Sequence, residues 1–301
     1  MRVRLATRGS ELARWQANRV VTLLEKTYPH FEFEVIVVKT SGDKNPATSI
    51  SEIGGQGFFV AEIQSAVLEG RADIAVHSAK DLPSVELEGL TLAAIPERGD
   101  PRDALVGCYW ADLPNNAVIA SGSIRRRSHL AHLRPDLLFK DLRGNIKTRL
   151  DRASDVDAIV VAKVALDRLN LSPPLVDPLD PDLLLPQVAQ GALAVECRSV
   201  DSQMIEILKT IEDPVARRMV DAERAFLAAI GSGCNFPVAA YAQPSSREID
   251  AELKLIGAIS SVDGSIYLRE ERLGSNGIVL GQEVANYLLK NRCGQDVLGN
   301  H

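Results

Sequence analysis

Short apolar runs alternate with amphipathic segments of helical length over the first two-thirds of the chain. The apolar runs predict strands at Val3–Ala6, Phe33–Val38, Asp73–Val76, Leu90–Ile95, Val118–Ala120, Leu137–Phe139 and Asp157–Val161. The amphipathic segments predict helices over Ser10–Lys26, Phe58–Glu69, Ile124–Leu133 and Asn145–Ala153. Strands that alternate with helices are typical of parallel sheets with helices on both faces.

The pattern changes in the last third of the chain. A long helix is predicted from Pro214 to about Ile230, followed by strands at Val238–Ala242, Glu252–Ile259 and Ser265–Arg269 and a closing helix at Gly281–Asn291. The short turn Val262–Ser265 joins the last two strands, which predicts an antiparallel sheet. We therefore expect a small α+β domain at this end of the chain.

The size and composition limit the class of protein. The chain has 301 residues, 46% of them hydrophobic and 25% charged, as in a soluble globular protein of two or three domains. No apolar run approaches the ~20 residues that span a bilayer, so we expect a cytoplasmic protein with no membrane role. The four cysteines lie far apart without a C-x-x-C pair, and we expect reduced thiols rather than disulfides or zinc ligands.

The charge is distributed unevenly. The whole chain carries −6, but nine basic and three acidic residues lie between Ser121 and Arg152, a balance of +6 that leaves −12 elsewhere. Seven of the nine basic residues are arginines, whose guanidinium fork matches a carboxylate or a phosphate. This segment indicates either a localised anionic ligand or a solvated helix face. Few aromatic residues interleave with the arginines, which disfavours nucleic acid as the ligand.

The spacing and sequence context of several other candidate motifs argue against dinucleotide binding, a metal site and a hydrolase nucleophile. The segment Gly54–Gly57 lacks the last glycine of a dinucleotide loop, and no preceding strand adjoins it. His129 and His132 are three residues apart on a predicted helix, but no carboxylate with ligand spacing accompanies them, so we expect surface histidines rather than a metal site. Ser78 and Ser123 lack the sequence context of a hydrolase nucleophile.

Polar residues follow three predicted strands, at Thr7–Ser10, His77–Pro83 and Ser121–Arg127. Ligands of open α/β sheets bind beyond the carboxyl ends of strands, so these segments are expected to converge on one cleft. Asp81, taken alone, is an ordinary turn residue. Cys234, which follows Gly231 and Gly233, is either a buried inert thiol or an exposed mobile one.

In this order, the segments resemble the porphobilinogen deaminase family over nearly the whole chain. The matching motifs are Thr7–Ala13, Gly54–Phe59, Ala72–Pro83, Asp100–Ala104, Ile124–Arg126, Arg134–Asp136, Leu142–Asn145, Thr148–Leu150 and Gly233–Pro237. The His-Ser-x-Lys-Asp-x-Pro element that contains Asp81 and the loop around Cys234 are the most specific of them.

The resemblance implies a reaction. Four porphobilinogen molecules are joined head to tail with loss of ammonia, and water then releases hydroxymethylbilane. The chain grows on a dipyrromethane cofactor that a thioether attaches to Cys234, and the Asp81 carboxylate stabilises positive charge on the pyrrole nitrogens. The implied cofactor- and substrate-binding residues are Arg8, Ser10, Gln16, Lys80, Ser123, Arg125, Arg126, Arg143, Arg149 and Arg168. No metal, nucleotide, nucleic acid or membrane is implied as a partner, and the family is usually monomeric.

The implied fold is α/β. Two lobes like those of type II periplasmic binding proteins are expected, the first from residues 1–97 with 190–212 and the second from residues 101–186. The α+β domain of residues 215–301, with an antiparallel three-stranded sheet, carries Cys234.

The chain departs from the usual family sequence at Gln56, Ala61, Gly122, Ala189 and Ser232. These departures leave Asp81, Cys234 and the arginines in place. They nevertheless keep a second hypothesis open, in which a two-lobed carboxylate-binding protein of the same fold has impaired catalysis.

Overall fold

The computed structural model describes residues 1–38, 58–231, 236–246, 248 and 251–299. The chain forms two compact units. The first comprises Met1–Gly99 and Gly191–Arg217, and the second comprises Asp100–Gln190 and Arg218–His301.

The described elements alternate much as the sequence predicts. The strands are β1 (Arg2–Arg8), β2 (Glu32–Val38), β3 (Ile74–Ser78), β4 (Leu90–Ala94), β5 (Asp103–Val106), β6 (Val118–Ala120), β7 (Leu138–Lys140), β8 (Ala158–Ala162), β9 (Val176–Pro178), β10 (Leu193–Arg198), β11 (Val238–Pro244), β12 (Leu253–Ser260) and β13 (Tyr267–Gly274). The helices are α1 (Glu11–Thr27), α2 (Phe58–Leu68), α3 (Ile124–Leu133), α4 (Ile146–Asp151), α5 (Lys163–Arg168), α6 (Ser202–Lys209), α7 (Pro214–Ile230), α8 (Gly277–Asn286) and α9 (Gly294–Gly299).

The first unit contains a five-stranded sheet in the order β2-β1-β3-β10-β4. Its strands are rich in residues that favour extended backbone and pack well in a sheet, such as Val3, Leu5 and Val76. These side chains form a core with the apolar stripe of α1, while Ala6 and Ala75 point to the opposite face and pack with α2. Helices therefore cover both faces, as predicted.

The second unit repeats this topology and adds another sheet. The order β7-β6-β8-β5-β9 matches that of the first sheet position by position, and β11-β12-β13 forms a separate antiparallel sheet. The predicted α/β fold class is confirmed, with two five-stranded α/β sheets and a small antiparallel three-stranded sheet in the last part of the chain.

The prediction of parallel sheets is wrong in one respect, because both five-stranded sheets are mixed. Strand β10 runs antiparallel to β3 and β4, and β5 runs antiparallel to β8 and β9. The chain reaches β5 and β10 as it passes from one compact unit to the other, not through a strand-helix-strand crossover within one sheet. The rule that makes such crossovers parallel therefore does not apply to them.

Several predicted boundaries also shift, most clearly in the last third of the chain. Strand β13 runs on to Gly274, past the predicted end at Arg269, because the charged run after Leu268 does not show apolar alternation. The closing helix starts earlier than predicted, at Gly277, since the Asn276 side chain caps it by accepting the Val279 N–H at 3.2 Å.

Candidate active site

In the first unit, the predicted site residues lie on segments that start from one edge of the sheet. Strands β1 and β3 are parallel neighbours, so their carboxyl ends share that edge. Arg8 is the last residue of β1, and Lys80 and Asp81 lie in the 3₁₀ turn Ala79–Asp81 directly after β3. The turn is anchored because the Ala79 N–H donates to the Ala192 carbonyl at 3.1 Å, and Asp81 itself is exposed.

Helix α1 brings two more predicted residues to this edge. Ser10 is its N-cap, and its Oγ accepts the Ala13 N–H at 3.2 Å. One turn and a half further along, the Gln16 amide donates to Ser78 Oγ at 2.7 Å. Gln16 therefore ties α1 to the end of the strand that leads into the turn of Asp81.

In the second unit, the predicted arginines follow three neighbouring parallel strands. Ser123, Arg125 and Arg126 follow β6, Arg143 and Arg149 follow β7, and α5, which ends with Arg168, follows β8. Ser123 caps α3, and its Oγ accepts the Arg126 N–H at 3.4 Å. The carboxyl ends of these parallel strands lie at the same edge of the sheet. The segments that carry the arginines therefore begin at one edge, although they are far apart in sequence.

A buried carboxylate that the sequence reasoning missed binds two of these arginines. Asp103 Oδ2 accepts from Arg125 Nη2 at 2.6 Å, and Asp103 Oδ1 accepts from Arg126 Nη2 at 2.7 Å. Burial opposes ionisation of Asp103, yet Arg125 and Arg126 hold its pKa well below the usual range. The signal that could have found Asp103 is a single acid at the start of an apolar tetrapeptide, Asp103–Val106, which forms β5.

The two guanidinium groups have further partners inside the unit. Arg125 donates to the Leu185 carbonyl at 2.6 Å and Arg126 to the Val160 carbonyl at 3.0 Å. Burial lowers the pKa of Arg125, and its Nε has no hydrogen-bond partner among the described residues. The role of Arg125 and Arg126 in binding substrate carboxylates stays a prediction.

Arg149 differs from these two because it pairs with no carboxylate in the described part of the chain. Its Nε donates to the Gly144 carbonyl at 2.8 Å. Burial, followed by the nearby positive charge of Arg126, lowers the pKa of Arg149. Arg126 is already paired with Asp103, whereas Arg149 is a half-buried cation with no carboxylate of its own among the described residues. Such a position is electrostatically unfavourable until a further anion pairs with Arg149, so it suits an anionic ligand.

Arg143 and Arg168 contribute positive charge in different settings. Arg143 is exposed, and its Nη2 lies 3.9 Å from Asp141 Oδ2, a distance typical of a weak surface pair. Arg168 is buried, and this burial lowers its pKa to about 10. Both add positive charge to segments that follow the parallel strands, since Arg143 follows β7 and Arg168 ends the helix after β8.

Asp103→Asn should destabilise the protein by about 3–5 kcal/mol, because it leaves two buried guanidinium groups without their counter-ion. Urea unfolding at neutral pH measures this loss. The matched control is Asp182→Asn, which breaks the exposed 2.8 Å pair with Arg269 in the same compact unit and should change stability far less. Equal losses in the two variants would contradict the structural role of Asp103.

The expectation of surface histidines is wrong for His129. Its ring is 2% exposed and packs edge-on against Tyr267 of β13 with ring centroids 4.8 Å apart, and neither ring nitrogen has a hydrogen-bond partner among the described residues. His132, at the helix surface, stacks on the same tyrosine. Helical spacing alone does not show that a strand more than a hundred residues later covers this side of α3.

His129→Phe should make stability less sensitive to acid. Burial and then the charge of Arg125 lower the pKa of His129 to about 3, whereas the unfolded chain takes up this proton near 6.5. The wild type therefore loses stability as the pH falls from 6.5 towards 3, by up to about 1.4 kcal/mol per pH unit for this one group. Urea unfolding between about pH 7 and pH 5 should show a shallower slope in the variant.

The exposed His30 provides the control for this measurement. His30→Gln should keep the wild-type dependence of stability on pH. An unchanged slope in His129→Phe would mean that the buried ring is not held neutral in the folded protein.

The residues that depart from the usual family sequence lie in different structural settings. A Cβ at Gly122 would lie 2.7 Å from the Leu142 carbonyl oxygen, so a serine there would require a shift of this backbone. Ala189 is fully buried at φ +59°, a conformation in which glycine is not strained, and its N–H donates to Glu223 at 2.6 Å. Ala61 lies on α2, while Gln56, Ser232 and Cys234 lie outside the described residues.

The other three cysteines carry free thiols. Cys108 is half-buried, Cys197 is buried and Cys293 is exposed. Burial, more than the neighbouring Asp201, raises the pKa of the Cys197 thiol to about 11, which makes it a poor nucleophile at neutral pH.

The family relationship is decided by comparison with known proteins. The model described as "Porphobilinogen deaminase, dipyromethane cofactor binding domain" matches residues 3–206, and the model of the porphobilinogen deaminase C-terminal domain matches residues 218–290. The chain belongs to the porphobilinogen deaminase family. The resemblance stated from the sequence motifs is thereby confirmed.

Curated porphobilinogen deaminases match over nearly their full length. The chain is 42% identical to that of Maridesulfovibrio salexigens, with 94% of each chain covered, and 40% identical to that of Pelobacter propionicus, with 98% of this chain and 96% of the relative covered. Among solved structures, a nutrient binding protein from Burkholderia cenocepacia bound to methionine shows a TM-score of 0.43 and 15% identity over 69% of this chain and 90% of that one.

The porphobilinogen deaminase family uses a dipyrromethane cofactor, and the residues of this chain fit such a group. A dipyrromethane built from porphobilinogen carries several carboxylates. The half-buried Arg149 without a carboxylate partner in the described segments, together with Arg143 and Arg168, provides cationic donors of the matching kind. Over the same described residues, no group of three His, Cys, Asp or Glu side chains is placed to bind a metal ion, and no helix is long and apolar enough to span a membrane.

Proposed function

We propose that this protein is a hydroxymethylbilane synthase. It condenses four porphobilinogen molecules head to tail with loss of ammonia on a covalently bound primer, and it releases the linear tetrapyrrole by hydrolysis. The observation that carries this activity is the family match over both parts of the chain, together with relatives of about 40% identity along nearly the whole length. As such the protein is a transferase of tetrapyrrole biosynthesis.

Asp81 is the proposed catalytic residue. Loss of ammonia from the substrate leaves a cation, and formation of the new carbon–carbon bond places positive charge on a pyrrole nitrogen. A carboxylate beside the pyrrole N–H groups stabilises both charges and can hold the proton in transit. The exposed position of Asp81, on an anchored turn at the carboxyl end of β3, supports this role.

The arginine-rich edge of the second unit is proposed to bind acetate and propionate side chains. Each added pyrrole brings two carboxylates, so the ligand becomes more anionic as it grows. Arg149 supports this proposal most strongly, because its guanidinium lies near the positive charge of Arg126 and has no carboxylate partner of its own among the described residues. The complete proposed set comprises Ser123, Arg125, Arg126, Arg143, Arg149 and Arg168 in the second unit and Arg8, Ser10, Gln16 and Lys80 in the first.

Cys234 is the proposed attachment residue for the cofactor. When bound, the dipyrromethane supplies the terminal pyrrole ring that accepts the first substrate unit. A thioether suits this attachment because its carbon–sulfur bond persists through repeated turnovers. The raised pKa values of Cys108 and Cys197, caused first by burial in both cases, disfavour these two thiols as alternatives.

The finer organisation is proposed as well. We propose three domains, with residues 1–97 and 190–212 forming the first, 101–186 the second and 215–301 the third. A monomer in the cytoplasm, without a nucleic-acid partner, is the proposed working form.

Incubation of the purified protein with porphobilinogen tests the function. We expect ammonia and linear tetrapyrrole in a molar ratio of four to one. A carboxylate-binding protein without catalysis would bind porphobilinogen and release no ammonia, and that result would overturn the proposal.

A further inference from the structure

A buried polar cluster lies on the face of the first sheet that α2 covers. It consists of His77 in β3, Glu196 in β10 and Gln64 in α2. Gln64 Nε2 donates to both carboxylate oxygens of Glu196 at 3.1 Å. His77 Nε2 lies 3.1 Å from Glu196 Oε2, an ion-pair distance at which its N–H is not aligned for a hydrogen bond.

The cluster occupies a place where apolar side chains would be the ordinary choice. The side chains of His77 and Glu196 are each only 3% exposed, and the surrounding core on this face consists of aliphatic residues such as Ala6, Ile63 and Ala75. Removing a carboxylate from water costs several kcal/mol, and well-packed apolar residues often serve stability equally well. Stability of the sheet therefore does not account for three polar side chains here.

The cluster lies at the end of β3 that leads into the turn of Asp81. His77 is the residue before Ser78, the last residue of the strand, and Asp81 follows at the end of the next turn. In the register of β10 against β3, Ala194 lies opposite His77 and Leu193 lies opposite Ser78. Glu196 thus lies on β10, the strand that pairs with the end of β3. The residue just before β10, Ala192, provides the carbonyl that accepts the Ala79 N–H and anchors the turn.

Helix α2 fixes the cluster from the other side. Gln64 contacts both oxygens of Glu196, so it restricts rotation of the carboxylate and with it the contact to His77. The end of β3 is consequently held from α2 and β10 through the cluster and from α1 through the hydrogen bond between Gln16 and Ser78.

We propose that His77, Glu196 and Gln64 are positioning residues that fix the turn bearing Asp81 and act on the chemical step through it. The proposal rests on the proposed function, because it takes Asp81 as the catalytic carboxylate. A buried network suits this task, since it fixes side-chain orientation more strictly than apolar packing does. Small displacements of a catalytic group, of the order of 1 Å, can cost about 10²-fold in rate.

Glu196→Gln tests the proposal, since it keeps the shape of the side chain and removes the charge that His77 and Gln64 contact. We expect kcat to fall about 10- to 100-fold with KM changed less than about twofold, and the intact mass to show the full complement of dipyrromethane. If Glu196→Gln does not accumulate as folded protein, Gln64→Leu replaces it and should also lower kcat without raising KM.

Asp73→Asn is the matched control on the same strand. Asp73 precedes β3 at its other end and pairs with Arg4, with Arg4 Nη2 2.9 Å from Asp73 Oδ1 and the Arg4 N–H donating to Asp73 Oδ2 at 2.8 Å. This variant should lower the melting temperature as Glu196→Gln does, yet leave kcat within about twofold. Equal effects of the two variants on kcat would reduce the cluster to a structural role and overturn the proposal.

The double variant Asp81→Asn, Glu196→Gln shows whether the cluster acts through Asp81. We expect it to be no slower than Asp81→Asn alone, because residues that act through one group are not additive. Additive losses, or a Glu196→Gln enzyme with wild-type kcat, would overturn the positioning role. A wild-type protein that makes no tetrapyrrole would instead overturn the proposed function, so the two failures are distinguishable.

Discussion

Asp81→Asn should lower the turnover of porphobilinogen by about 10²–10⁴-fold, the range that general acid–base and charge-stabilising groups contribute. The amide keeps the size of the carboxylate but can neither carry the negative charge nor hold a proton. Asp81 is exposed on its turn, so the substitution should leave the melting temperature within a few degrees of the wild type. Initial rates of ammonia release from porphobilinogen measure the loss.

A nearby exposed acid is the control for this prediction. Glu86 lies five residues further along and is also exposed, so Glu86→Gln removes one negative charge from the same region. It should keep turnover within about twofold, as expected for a long-range effect screened by solvent. Near-normal turnover in Asp81→Asn, or an equal loss in Glu86→Gln, would contradict the role assigned to Asp81.

Cys234→Ser should abolish the covalent dipyrromethane and, with it, the processive formation of tetrapyrrole. A serine hydroxyl is a much weaker nucleophile than a thiolate, so it should not form the corresponding ether. The intact mass of the variant should equal that of the bare polypeptide, and the colour reaction of the cofactor with Ehrlich's reagent should be lost. Turnover should fall to background.

The remaining cysteines provide matched controls. Cys293 is exposed and Cys108 half-buried, so Cys293→Ser and Cys108→Ser test an accessible and a less accessible thiol. Both variants should retain the adduct and the activity. If Cys293→Ser or Cys108→Ser lost the adduct while Cys234→Ser kept it, the cofactor would be attached to that other cysteine and not to Cys234.

Local patterns were sufficient for the elements that carry Asp81 and the arginines. The apolar run before Ser78 predicts β3 and the polar residues after it predict a turn, and both are present. The predicted starts of α1 and α3 are also close to the observed ones, because a helix start depends on a few adjacent residues such as the N-caps Ser10 and Ser123. Arginines that are grouped along the chain also follow adjacent strands in the fold, because β6 is a parallel neighbour of both β7 and β8.

Features that depend on distant strands could not be predicted in this way. Asp103, Glu196 and His129 acquire their burial from segments far away in sequence, such as α3 around Asp103 and β13 over His129. Strand β10 was missed because its short run, which includes a charged glutamate, is compatible with several conformations until β3 and β4 pair with it. The family motifs indicated which residues to consider, but the counter-ion of Arg125 and Arg126 required the structure.

The most direct test of the central claim is the intact mass of the purified wild-type protein, before and after addition of limiting porphobilinogen. We predict a starting mass that exceeds the polypeptide by two linked pyrroles, located by peptide mapping at Cys234. Limiting substrate should then produce a ladder of species, each heavier than the last by one porphobilinogen less ammonia. A bare polypeptide mass from a source that makes porphobilinogen, with no ladder on addition of substrate, would contradict the account.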